Sequence, residues 1–173
     1  MSLHLRQKLR ASHVKRWHIV ETTKQQTVAE HSFNVWVFAE AICDIVGSND
    51  VVRQQVIEYA LHHDLPEVIL GDVPTPSKLL VNMERVEYDI DPKSVPPNTV
   101  VRDIVKLADV MDAIVFLAMY GIGKHAELIR EERMLFGNSI ICDMPPGVED
   151  LFKKVCLWET RRDNGEGASW IME

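Results

Sequence analysis

Residues 100–120 read VVRDIVKLADVMDAIVFLAMY, and the spacing of their apolar side chains decides the fold. Ile104, Ala108, Met111 and Val115 recur every three or four residues and form one stripe; Val105, Asp109, Asp112 and Phe116 form the adjacent one. A segment apolar around most of its circumference is a helix surrounded by other helices. It is predicted to span Thr99 to Tyr120 and to be ended by the GIG that follows. Asp109 must then lie at or near a buried surface, with Asp112 beside it. An ionised carboxylate there is costly unless it is paired or binds a cation.

Helical spacing recurs on both sides of this segment. Val28 to Val46 reads as a long apolar helix that stops at Gly47 and Ser48, and a second helix runs from Val51 to Asp64. Pro66 suits the first turn of a short helix, PEVILGD, that ends at Gly71. VPTPSK is then a rigid connection, and DIDPKSVPPN, from Asp89 to Asn98, reads as an exposed loop. Further helices are expected from Lys124 to Phe136 and from Gly147 to Arg162, with Trp170 and Ile171 in the tail available to pack on a neighbour. Alternating strand-like runs are nearly absent, so the expected class is all-α.

Length and composition set the outer bounds. A chain of 173 residues with 46% apolar content can bury one sizeable core, so a single domain over residues 1–173 is expected. Cys43, Cys142 and Cys156 are odd in number and widely spaced, which fits reduced thiols in the cytoplasm better than a disulfide framework. A net charge of −7 argues against broad binding to a nucleic-acid polymer, which requires a positive footprint. No apolar run of signal-peptide or membrane-spanning length occurs, so no membrane partner is expected.

Several polar residues stand on otherwise apolar surfaces. His31 sits near the start of the Val28–Val46 helix among Val28, Phe33, Val35 and Trp36. In YALHHDLPEV, Tyr59 to Val68, His63 and Asp64 are consecutive, and neighbours on a helix do not face one target. They converge only if the helix ends there, as the Leu65-Pro66 step requires. Asp64 could instead merely cap the next helix in a D-x-x-E box with Glu67, but that leaves His63 unexplained. His31, His63, Asp64 and Asp109 together offer two imidazoles and two carboxylates from three helices. Such a mixed set in a bundle core suits a divalent ion such as Zn²⁺, Co²⁺, Mn²⁺, Fe²⁺ or Mg²⁺.

These residues, in this order, resemble the signature of the HD-domain metal-dependent phosphohydrolases. The blocks RWHIVETTKQQTVAEHS, HHDLPEVILGDVPTPSK and VKLADVMDA resemble those of the small phage dATP triphosphohydrolases and of the bacterial 5'-deoxynucleotidases. The resemblance runs from Arg16 through Asp112 and implies an HD-domain helical bundle. It implies metal ligation by His31, His63, Asp64 and Asp109, with Co²⁺, Zn²⁺ or Mn²⁺ at the site and further Mg²⁺ or Mn²⁺ arriving with a triphosphate. It places Glu67 as catalytic acid or base, Asp72 as a second catalytic acid, and Arg16 on a phosphate. Trp17 would lie against the sugar and disfavour a 2'-hydroxyl. Ile19 and Pro76 would shape an adenine pocket, and Lys78 would reach the outer phosphates. His62 has no role in the pattern and is read as structural or as support behind a ligand.

The implied reaction is metal-dependent cleavage of the 5' phosphoester of a 2'-deoxynucleotide. The favoured case is dATP to deoxyadenosine plus triphosphate, with dADP and dAMP also within range. The alternatives are a 5'-deoxynucleotidase acting on dNMPs and a catalytically silent nucleotide-binding module, against which the retained Glu67 speaks. A C-terminal part shorter than in the bacterial nucleotidases, and a DIDPKSVPPN unlike their central segment, favour the triphosphate. The resemblance further implies a homo-oligomer, a dimer or a hexamer, working in the cytoplasm, or in the host cytoplasm if phage-encoded.

Overall fold

Two long helices carry the core. α2 (Val28–Val46) opens with a reciprocal capping box, in which Thr27 accepts from the Glu30 backbone and Glu30 accepts from the backbone of Thr27. It closes at Gly47, which adopts the left-handed conformation as a helix-ending residue. α6 (Thr99–Tyr120) is capped by Asn98 and buries twelve of its side chains. Helix α3 (Asp50–His62), capped by Asn49, α7 (Gly123–Ile141) and α8 (Pro146–Cys156) surround α6 together with α2. The computed structural model describes residues 3–74, 78, 80 and 82–158.

The shared interior is filled by Val35, Ile42, Val56, Leu107, Met111, Ile114 and Phe152, all at most 1% exposed. Transfer free energies of roughly 1.5–3 kcal/mol per buried aliphatic or Phe side chain make this cluster the main stabilising term. Short elements complete the chain: α1 (Leu5–Lys8), α4 (Glu67–Leu70), α5 (Met83–Ile90) and 3-10 turns at Leu9–Ser12 and Pro92–Ser94. Among the described residues there is no named strand. Two isolated antiparallel bridges, Lys15 with Thr27 and Thr22 with Gly121, tie the loop between α1 and α2 down at both ends. None of the described helices is long and apolar enough to cross a membrane.

The all-α expectation holds, and α2 and α6 keep their predicted bounds. Four boundaries differ. α3 begins at Asp50 and gives out at His62, leaving His63 through Pro66 in a turn. α7 continues to Ile141, straight through Gly137, because the Phe152 ring packs there: a Cβ on Gly137 would lie 2.3 Å from it. α8 ends at Cys156, and residues 159–162 of its predicted span lie outside the described residues, as do Pro76, Trp170 and Ile171. DIDPKSVPPN is not simply an exposed loop, since it starts inside α5 and buries Asp91 and Ser94 at 6% and 3% exposure.

Candidate active site

The predicted ligands converge. His31 comes from the first turn of α2, His63 and Asp64 from the turn that ends α3, and Asp109 from the middle of α6. His31 Nε2 lies 3.2 Å from His63 Nε2, 3.3 Å from Asp64 Oδ2 and 3.5 Å from Asp109 Oδ1. His63 Nε2 and Asp64 Oδ2 are 3.6 Å apart. The other nitrogen of each ring is committed. His31 Nδ1 donates to Asp112 Oδ2 at 2.6 Å, and His63 Nδ1 donates to the Ala60 carbonyl at 2.8 Å.

Both Nε2 atoms are therefore turned inward toward each other and toward carboxylates, and outer partners of this kind orient metal-binding imidazoles. Ligands ~2.1 Å from one ion stand roughly 3.0–3.4 Å apart, close to the separations found here. Among the described residues, His31, His63 and Asp64 form the group whose ligand atoms all lie within 4.8 Å of one another. The donor set fits a divalent cation.

Electrostatics agree with the geometry. At His31, burial and Arg16 oppose the charged ring, yet the hydrogen bonds to Asp112 and Asp64 outweigh them and lift it to about 9. A proton and a cation compete for the same nitrogen. Burial pushes His63 down. Burial would raise Asp64 and Asp109, but His63 and Arg16 hold the first well below the usual carboxylate range, and Lys106 and His31 do so for the second. Arg16 is ion-paired with Asp64, and Lys106 donates to Asp109 Oδ2 at 2.9 Å. Asp64 does not cap α4 through its side chain; Glu67 N–H bonds its backbone carbonyl instead.

Glu67 opens α4 one turn beyond the ligands and is 4% exposed. Burial, then the charge of Asp64, raises it to about 8. One of its oxygens, Oε2, is buried without a hydrogen-bond partner, while Lys78 approaches the other at 3.4 Å. Glu67, Asp72, Arg16, Trp17, Ile19 and Lys78 all line one cavity of about 830 Å³, together with the predicted ligands His63, Asp64 and Asp109. Ile19 is 56% exposed on its rim.

Gly71, with φ of +75°, turns the chain after α4 so that Asp72 Oδ2 accepts the Trp17 backbone N–H at 3.1 Å. Trp17 itself holds φ of +68°, uncommon for a large residue, and stacks on Phe116 at 5.6 Å with 5° between the rings. His62 points away from the ligands and bonds Asp91 at 2.6 Å, so it anchors the segment after α5.

Sequence reasoning missed other cavity residues: Tyr59, Glu87, Lys106 and Arg133. Lys106 was three residues from Asp109 on the same helix, a spacing at which side chains meet, and could have been found from it. Arg133 and Glu87 come from helical faces that carry no mark of their own.

Residues 5–91 match the family described as 5'-deoxynucleotidase YfbR-like. The chain is 36% identical over 129 residues to a dATP triphosphohydrolase of cyanophage S-2L, covering 69% of this chain and 73% of that one. The chain belongs to the YfbR-like HD phosphohydrolases. A dATP triphosphohydrolase of Salmonella phage PMBT28 is 34% identical over 140 residues, covering 73% of this chain and 72% of that protein. The 5'-deoxynucleotidase YfbR of Escherichia coli is 31% identical over 78 residues, 43% of this chain and 39% of that one. Among solved structures, the cyanophage S-2L HD phosphohydrolase bound to dA and one catalytic Zn²⁺ superposes with a TM-score of 0.78 at 29% identity, covering 92% and 96% of the two chains. In this HD phosphohydrolase the family resemblance and the clustered donors thus point to one site.

Proposed function

We propose that this HD phosphohydrolase cleaves dATP to deoxyadenosine and triphosphate, with dADP and dAMP as further substrates. The observation that carries the reading is the inward-facing pair of Nε2 atoms, 3.2 Å apart and flanked by Asp64 and Asp109. His31, His63, Asp64 and Asp109 would hold the cation, Zn²⁺ by analogy with the cyanophage structure, or Co²⁺ or Mn²⁺. When bound, such an ion polarises a phosphoryl oxygen and makes water a competent nucleophile near neutral pH.

The chain's own residues account for the rest. Water attacks the α-phosphorus, the bond from phosphorus to O5' breaks, and a proton reaches O5' as deoxyadenosine leaves. Glu67, raised by burial into the neutral range, is suited to take the water's proton and pass one on. Its partnerless Oε2 is a buried acceptor available to that water. Arg16 and Lys78 neutralise phosphate charge, and Asp72 holds the Trp17 backbone or an incoming ion that accompanies a triphosphate. Trp17 faces the sugar and Ile19 the base. A cavity of about 830 Å³ leaves room for a triphosphate, with Arg16, Lys78, Lys106 and Arg133 among its lining cations and Asp72, Glu87 and Glu132 among its lining acids, to which an accompanying divalent ion is suited.

A 5'-deoxynucleotidase acting on dNMPs is the second reading, favoured by the family match over residues 5–91. The proposal includes a single domain over residues 1–173, a homo-oligomer, and a cytoplasmic setting that suits the free thiols of Cys43, Cys142 and Cys156. The test is to incubate metal-loaded protein with each dNTP, dNMP and rNTP and to resolve the products by chromatography. Triphosphate released from dATP alone supports the first reading. Turnover of every dNMP with all dNTPs intact overturns it in favour of the second.

A further inference from the structure

Gln26 is a neutral side chain with 2% exposure, buried between Trp17 of the cavity wall and the carboxylate of Asp112. Its amide is used at both ends. Trp17 Nε1 donates to Gln26 Oε1 at 3.0 Å, and Gln26 Nε2 donates to Asp112 Oδ2 at 2.7 Å. The same Asp112 oxygen accepts from His31 Nδ1 at 2.6 Å, while Asn34 Nδ2 donates to Oδ1 at 2.7 Å. An indole can only donate and a carboxylate can only accept, so a single orientation of the amide satisfies both neighbours. The Gln26 backbone carbonyl meanwhile accepts the Arg16 N–H at 2.9 Å. One residue therefore holds Arg16, the Trp17 indole and the carboxylate behind His31.

We propose that Gln26 is a positioning residue for the reaction: its two-ended amide fixes the Trp17 ring and the Asp112–His31 pair in one buried relay. The sugar-facing wall is thereby set relative to the cation. The inference rests on the roles proposed above for Trp17 and for His31. Trp17 needs such a hold, because its backbone lies in the left-handed region and one face of its ring already meets Phe116. Asp72 fixes its backbone, and Gln26 fixes its far edge.

Q26L and Q26M remove both amide bonds at similar volume. In folded variants the preference for dATP over ATP, as a ratio of kcat/KM, is expected to fall on the order of tenfold, with a similar loss of zinc affinity in a chelator competition. The KM for dATP should carry most of the change, since the ring acts on binding. A purely structural role would lower Tm and leave the ratio alone; a folded variant with unchanged ratio and unchanged zinc affinity overturns the proposal.

The wild-type protein supplies a readout independent of those variants. Of its four tryptophans, Trp17, assigned by the signal lost in W17F, should show an indole N–H slow to exchange with solvent. Exchange as fast as that of a free indole refutes the relay. Should the wild type fail to split dATP, the functional reading falls, while zinc affinity and indole exchange still decide the part played by Gln26.

Discussion

Replacing Glu67 by Gln offers a test whose size follows from burial. In the metal-free protein Glu67 is raised from an ordinary carboxyl value of 4.5 to about 8, first by burial and then by Asp64. The folded state thus binds this proton more tightly than the unfolded chain. The stability it lends is fully present below the unfolded value and is lost as pH rises toward the folded one. Each pH unit inside that window removes about 1.4 kcal/mol, so from pH 5 to 7.5 the wild type forfeits about 3 kcal/mol that a non-titrating glutamine keeps.

For a domain of this size that corresponds to a Tm gap widening by roughly 6–12 °C in favour of E67Q. Thermal melts of both proteins, stripped of metal, at the two pH values measure it. A gap that stays constant with pH would refute the claim that Glu67 is held neutral by its surroundings. In the metal-loaded enzyme the same substitution should lower kcat by about 10²- to 10⁴-fold and remove the rising limb of the pH–rate profile that ionisation of Glu67 produces, at a pH below the metal-free value because the cation favours the carboxylate.

Asp109→Ala should abolish turnover and weaken zinc binding, and full activity in that variant would remove Asp109 from the site. Trp17→Ala should erode the preference for dATP over ATP by weakening dATP, read from the two kcat/KM values, while leaving zinc affinity less affected than Asp109→Ala does. Gly137→Ala should destabilise the fold by about 1–3 kcal/mol in urea unfolding, because the added Cβ meets the Phe152 ring at 2.3 Å.

Local signals were legible in the sequence and non-local ones were not. The apolar run from Val28 marked the start of α2, and Gly47 its end, because both signals lie within the segment itself. The clustering of His31, His63, Asp64 and Asp109 could be read from imidazoles and carboxylates on apolar faces, an anomaly visible without a fold. Gly137 looked like a helix end, since nothing near it in sequence reveals that Phe152 will occupy the space a side chain would take. α5 escaped notice because it buries no residue fully and its short run is dominated by charge. Asp91 read as solvent-exposed for a related reason: its partner, His62, is 29 residues away. Gln26 gave no signal at all, for the carboxylate that explains it lies 86 residues further on.

The position of α6 has a consequence for how such an enzyme can change. Asp109 and Asp112 project from a helix packed against α2, α3, α7 and α8, so the carboxylates proposed to hold and support the cation site are embedded in what keeps the chain folded. Ile19, by contrast, stands 56% exposed on a loop, and α5 covers the cavity with no side chain fully buried. On the proposed role of Ile19 in facing the base, substitutions that alter which base is accepted can accumulate at this rim with little loss of stability. Substitutions that alter the chemistry must also survive repacking of the core. New substrates are therefore accessible by gradual drift, whereas a new reaction is not.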